Sequence, residues 1–247
     1  MITSIIIVKN ESLLIAQKIK ELAFTQEVIV VDNGSTDDTA KIAKLNKSRV
    51  ILETKPDFAL LRNLAAENAT HEWLLYIDVD ETIPLDLKHE ILEITKFNPD
   101  ETQPKAYRLL RKNYYLGKLW PHEDGMIRLI YKPALIKWYG QLHETAKING
   151  KVSTLNSRLI HHTHKSIETM LRKTNQWSEV EAHLRFSNKH PKIVSWRLFR
   201  VMITAFYNSY IVQKGWRAGT VGVIESIYQS FSIFVTYAKL WELQNKK

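Results

Sequence analysis

Apolar residues in the first third of the chain fall into short blocks separated by stretches of helical spacing. Ile2–Val8 is a β-branched run, and residues 28–31, Arg49–Leu52 and residues 73–77 are three more. Between them Leu14, Ile15, Ile19 and Leu22 recur at helical intervals, and further helices are predicted over residues 35–45 and 59–69. Asn10 stands where a capping residue opens the first helix, and Ser35 with Asp38 three residues on reads as a capping box for the second. Continuous apolar runs suit strands buried on both faces. Repeated βα units of this length predict an α/β fold, a mostly parallel, doubly wound sheet flanked by helices. Such sheets bind ligands outside the carboxyl ends of their strands.

After Ser166 the pattern becomes helical only, over residues 167–186, 193–213 and 220–243, with breaks at 188–191 and 215–222. The chain therefore divides into an α/β body, residues 1–165, and a helical C-terminal extension, residues 166–247. Charge follows this division. Residues 1–157 hold 21 Lys and Arg against 21 Asp and Glu, whereas residues 158–247 hold 14 against 5 and supply the whole net charge of +9. The extension is also rich in aromatics, among them Trp196, Phe199, Phe206, Tyr207, Tyr210, Trp216 and Trp241. Cations mixed with rings suit helices lying at a lipid headgroup surface. Arg197, Arg200, Glu225 and Lys239 break the apolar runs well short of the roughly 18 to 20 residues that span a bilayer. No nucleic-acid reading motif accompanies the cations, so a nucleic-acid partner is not expected.

Candidate chemistry gathers where the fourth run stops. Asp78, Val79, Asp80 and Glu81 place three carboxylates in four positions, too polar for a core. Asp78 and Asp80, two apart, aim to one side of an extended backbone, and hard oxygen donors there suit Mg²⁺ or Mn²⁺ carrying a diphosphate. By itself D-x-D is common, and an acidic turn reads the same. Glycine is scarce, at 8 residues, and no GxGxxG or Walker-type loop occurs, so the usual dinucleotide and P-loop solutions are not expected. With no cysteine there is no disulfide framework, thiolate metal site or cysteine nucleophile, which fits a reducing compartment. The amino terminus lacks the basic region of a signal peptide. The expected location is cytoplasmic, peripheral at the inner face of the membrane. His161, His162 and His164 in LIHHTH lie on one segment that cannot converge on one ion, and structural zinc is not expected.

The order of KNES after the first run, VIVVDNGSTDDT at the second, FALLRN in the third helix and LLYIDVDE at the fourth run resembles the inverting nucleotide-sugar glycosyltransferases of family 2. YRLLRKNYYLGKLW, MIRLIY, QLHE and LIHHTHKS are similar to the bacterial branch that builds lipopolysaccharide core. The resemblance covers nearly the whole chain. It implies a GT-A fold, a uridine diphosphate sugar as donor, and a glycolipid or lipopolysaccharide-core acceptor. It further implies that Asp32 hydrogen-bonds the base or ribose, that Asn10 and Glu11 wall the nucleotide, that Asp78 faces the ribose and that Asp80 holds the metal with His161 closing the site. Arg62 would sit near the nucleotide or serve as a helix-surface cation. Arg128, of the cations Arg108, Arg111 and Arg128, is the foremost candidate for phosphate. An inverting displacement needs one carboxylate to take the acceptor proton, and Glu144 is that candidate, with Asp124 the runner-up. A polyprenyl-phosphate sugar transferase and a non-catalytic nucleotide-sugar-binding module are the alternative readings.

Overall fold

A computed structural model describes residues 1–140 and 144–246. It resolves into two compact units, one made of Met1–Arg111 with Asp124–His161, the other of Lys112–Glu123 with His162–Lys247. The second unit thus begins a few residues before the boundary expected from the sequence, and it also takes in a short segment from the middle of the chain.

Eleven strands occur among the described residues: β1 (Ile2–Val8), β2 (Glu27–Asp32), β3 (Arg49–Leu52), β4 (Trp73–Tyr76), β5 (Glu81–Thr82), β6 (Ala106–Tyr115), β7 (Lys118–Leu119), β8 (Asp124–Tyr131), β9 (Leu135–Tyr139), β10 (Thr145–Ile148) and β11 (Val152–Thr163). Helices α1 (Ile15–Glu21), α2 (Thr39–Leu45), α3 (Phe58–Asn68) and α4 (Leu85–Ile94) lie between the early strands. The main sheet runs β3-β2-β1-β4-β8-β6-β11-β5, with β7 hairpinned onto the end of β6; β9 and β10 form a separate ribbon. The α/β class and the helix-flanked sheet are as expected. Its parallel ladders join β3, β2, β1 and β4, whereas β4 with β8, β8 with β6 and β11 with β5 pair antiparallel, so the sheet as a whole is mixed.

Burial on both faces explains the unbroken apolar strands. On β1, Ile6 faces a layer with Val30, Leu75, Leu129 and the α1 and α4 residues Ile15, Ile19, Leu87 and Ile91. Its neighbour Ile5 faces the opposite layer, with Ile29, Val31, Leu74, Tyr76 and the α3 residues Ala59, Leu61 and Ala65. Each such valine, leucine or isoleucine contributes about 1.5–3 kcal/mol on leaving water.

Both loops at the carboxyl ends of β1 and β2 depart from the expected capping. The first helix starts at Ile15, and Asn10 instead takes a left-handed backbone, φ 57°. The second starts at Thr39 with no side-chain cap from Asp38. Local capping loses because Asn10 and Ser35 bond each other's loops. The Asn10 amide donates to Ser35 Oγ at 2.9 Å, and the Thr36 amide donates to Asn10 Oδ1 at 2.8 Å.

In the second unit, α5 (Ile167–Ser187) opens with a capping box formed by Ser166 and Thr169. Next come α6 (Ser195–Tyr207), a wide π turn over Asn208–Val212, and α7 (Thr220–Asn245), a 26-residue helix on which both α5 and α6 pack. Ala182, Ile193, Tyr237 and Leu240 form its small apolar centre. A Cβ on Gly222 would meet the Gly215 carbonyl at 1.8 Å, so glycine alone allows the 215–218 turn to touch α7. His164 Nδ1 lies 2.9 Å from the wholly buried carboxylate of Glu225, which also accepts from Gln229 at 2.6 Å. Among the described residues no helix is long and apolar enough to cross a membrane.

Candidate active site

Parallel pairing on both sides of β1 sets the ends of β2 and β4 beside it, with Val8 opposite Asp32 and Ile5 opposite Tyr76. The candidate residues of the first unit therefore converge at one edge of the sheet. Asp32, 1% exposed, accepts from the Ser35 amide through Oδ1 at 2.7 Å, while its buried Oδ2 has no partner among the described residues. Around it the β1 loop is stiffly held. The Glu11 amide donates to Thr39 Oγ1 at 2.8 Å and the Ser12 amide to Asp37 Oδ2 at 3.2 Å. Asp37, bonded first by the Thr39 hydroxyl and also by the Thr39 and Ser12 amides, is held at about 2, below its ordinary value.

At the end of β4 a turn of four residues is pinned by Glu81. Its carboxylate, 0% exposed, accepts from the Asp78 amide at 2.9 Å, from Arg128 at 2.8 Å and from Arg111 at 3.2 Å, and its carbonyl accepts from Lys18. Arg128 also forks onto Asp78, at 3.3 and 2.5 Å. Burial by itself raises the Asp78 carboxyl, but Arg128 and Arg62 outweigh it and hold the group well below the usual carboxylate range. Arg128 shows the mirror of this: burial works against its charge, and Asp78 and Glu81 raise it above an ordinary arginine. A guanidinium enclosed this way ties Asp78 to Glu81 and organises the site's acids.

Arg62 is buried, so its helix-surface reading is corrected. Its guanidinium lies 4.8 Å from the Trp138 ring centroid and 5.3 Å from that of Tyr76, donates to Glu144 at 2.9 and 2.7 Å, and comes within 4.0 Å of Asp78. Glu144 belongs to the acid cluster through that pair. Residues 141–143 of its QLHE segment lie outside the described residues. Asp124, the other candidate base, is gripped by Arg111 through two contacts, one of them 3.1 Å, and Arg111 ties it to Glu81. Asp80 and His161 meet, Oδ1 to Nε2 at 3.6 Å, because β5 pairs with β11 and sets His161 opposite Glu81. His162 rests against Tyr114 in the second unit.

Among the described residues no group of three or more His, Asp or Glu is placed to hold a metal ion. Asp80 and His161 offer two donors side by side, while Asp78 is already forked by Arg128. Mg²⁺ and Mn²⁺ are commonly held by one or two protein groups with phosphate oxygens and water completing the shell, so this donor set fits a cation that arrives with a diphosphate. Sequence reasoning noted Glu81 only as one acid among three and gave Lys18 no role. Nothing in their spacing marks them, since the contacts of Glu81 with Arg111, Arg128 and Lys18 span 30 to 63 residues.

Residues 3–136 match the family model described as glycosyl transferase family 2. A glycosyltransferase of Rickettsia prowazekii is 30% identical over 260 residues, covering 99% of this chain and 88% of the relative. A lipopolysaccharide core biosynthesis glycosyltransferase of Rhizobium meliloti is 24% identical over 256 residues, covering 98% of this chain and 92% of that one. Among solved structures, glucosyl-3-phosphoglycerate synthase from Mycobacterium tuberculosis aligns at a TM-score of 0.36 and 21% identity, covering 47% of this chain and 44% of that chain, a likeness too slight to carry anything across. The family match spans more than half the chain, and with the Rickettsia relative it settles the family: this chain belongs to glycosyl transferase family 2.

Proposed function

We propose that the chain moves a hexose or heptose from a nucleotide sugar, linked to uridine diphosphate, onto a hydroxyl of lipopolysaccharide core or a related glycolipid, in one inverting displacement. The observation that carries the donor reading is the bare, buried Oδ2 of Asp32 at the edge where β4 delivers its acids. A buried carboxylate oxygen left without a donor costs roughly 1–3 kcal/mol, which a ligand N–H can recover. Uracil presents one such ring N–H. The likeness to the lipopolysaccharide core biosynthesis glycosyltransferase of Rhizobium meliloti supports the acceptor class.

The chain's residues divide the work. Asp32 with the Asn10 and Glu11 loop receives the nucleoside, and Asp78, fixed by Arg128, lies on the ribose side. Asp80 and His161 would hold a divalent cation, which stabilises the charge of a departing diphosphate. Glu144 takes the acceptor proton, with Arg62 fixing the direction of its carboxylate; no covalent nucleophile is needed.

A thermal-shift panel of uridine, guanosine, adenosine and cytidine diphosphates and their sugars, each with Mn²⁺ or Mg²⁺, tests the donor. A ligand at a hundred times its Kd adds about 2.7 kcal/mol to the folded state, so uridine diphosphate with metal is expected to raise Tm. The metal-dependent part of the shift is expected to vanish in Asp80→Ala. No stabilisation by any nucleotide would end the donor reading, and an undiminished metal effect in Asp80→Ala would end the metal assignment.

A further inference from the structure

Helix α6 has no buried residue. One side packs inward, where Leu198 and Val201 meet the small core of Ala182, Tyr237 and Leu240, and the Met202 carbonyl accepts from Ser230 of α7 at 2.9 Å. The other side carries Trp196, Phe199, Ile203 and Tyr207 at helical spacing, exposed by 59%, 68%, 69% and 58%. Val212 and Trp216 beyond it, and Ile227 and Phe231 on α7, are exposed as well. Isolated exposed apolar residues are ordinary, but a continuous stripe of this size is covered by something.

Charge identifies the cover. From residue 188 to 219 there are six Lys and Arg and no Asp or Glu. The arginines sit beside the rings: Arg200 and Arg197 lie 5.4 and 5.8 Å from the Trp196 ring centroid, and Arg217 lies 6.0 Å from that of Trp216. Indole and guanidinium together suit the headgroup layer, rings at acyl depth and cations against phosphate. With no helix among the described residues fit to span, such a face lies flat.

We propose that α6 is a membrane-surface anchor, its Trp196–Phe199–Ile203–Tyr207 stripe entering the interface of an anionic bilayer while Arg197, Arg200, Lys214 and Arg217 hold lipid phosphates. The inference is independent of which sugar or nucleotide the first unit takes.

Co-sedimentation of the full chain with vesicles of phosphatidylcholine alone, or mixed with phosphatidylglycerol, tests it, alongside light scattering of the chain in solution. The wild type is expected to pellet with the mixed vesicles and much less with phosphatidylcholine. The double variant F199D/I203D is expected to lose affinity by about a hundredfold or more. Both residues are exposed, so its circular dichroism and Tm should match the wild type. R197Q/R200Q should weaken binding about 25-fold, at about 1 kcal/mol per cation, and flatten the salt dependence. A wild-type chain that stays in the supernatant with both vesicles, or pellets equally with both, overturns the proposal. So does an F199D/I203D variant that binds like the wild type. A dimer in solution that F199D/I203D dissociates, in a chain that ignores vesicles, would instead make a second copy the occupant.

Discussion

Asp32 at the end of β2 and Glu81 at the start of β5 are both buried carboxylates at the same edge of the first unit, and they are furnished in opposite ways. Glu81 accepts from two arginines and a backbone amide. Asp32 accepts from one amide and leaves its second oxygen buried and bare. Folding tolerates the first because desolvation of the acid is offset by opposite charges and well-placed donors. It tolerates the second only at a cost, which under the proposed function a bound nucleotide would offset. One acid belongs to the frame; the other is the one proposed to meet the nucleotide. The Arg-bound acids Asp78, Glu144 and Asp124 stand between these extremes, each paired with arginine, Asp78 and Asp124 partly open to solvent.

Substitutions can break or sharpen this contrast. The largest effect is expected at the frame. Glu81→Ala takes from the buried Arg128 one of its two carboxylate partners, leaving Asp78 alone, and should destabilise the fold by about 3 kcal/mol in urea titration; a loss below about 1 kcal/mol would show that Glu81 is not the pin. Next, Glu144→Gln should lower kcat about a thousandfold with donor KM little changed, while Asp124→Asn has the smaller effect on kcat. Steady-state release of the nucleoside diphosphate reads both, and the reverse ranking would move the proton transfer to Asp124. Asp32→Asn should leave urea stability within about 0.5 kcal/mol yet weaken donor binding by roughly 10- to 100-fold, the worth of one hydrogen bond to a charged group. If instead stability falls and binding holds, the bare oxygen is not a ligand contact.

The smallest effect is in pH. Asp78 has a folded-state pKa depressed below its unfolded value. Its contribution to stability is therefore complete above about pH 4, the ordinary carboxylate pKa, and is lost as pH falls through the lower folded value. The side chain is 37% exposed, so solvent screens its arginine pairs and the contribution amounts to no more than about 1 kcal/mol. Urea midpoints measured downward from pH 5 should drop less steeply in Asp78→Asn than in the wild type. Parallel slopes in the two proteins would remove this group from the acid transition.

Local pattern carried much of this. The strand runs of residues 2–8 and 49–52 and the three C-terminal helices could be placed to within a few residues in most cases, because burial on two faces or on one stripe leaves a repeating signature in the sequence itself. Asp78 and Asp80 stood out for the same reason, as charges abruptly ending an apolar run. Capping was misjudged because Asn10 and Ser35 bond across loops 25 residues apart, a competition that no four-residue window contains.

What the chain by itself determined is the alternation of buried strands and amphipathic helices, the division of charge between body and tail, and the family its motifs belong to. Tertiary structure alone decided that Glu81 is enclosed by Arg111 and Arg128, that Arg62 leaves the helix surface to hold Glu144, and that His161 comes beside Asp80. The reason is physical. Hydrophobic periodicity is written between near neighbours, whereas an ion pair forms wherever the sheet's register brings two distant strands together, and only the folded register specifies which charges meet.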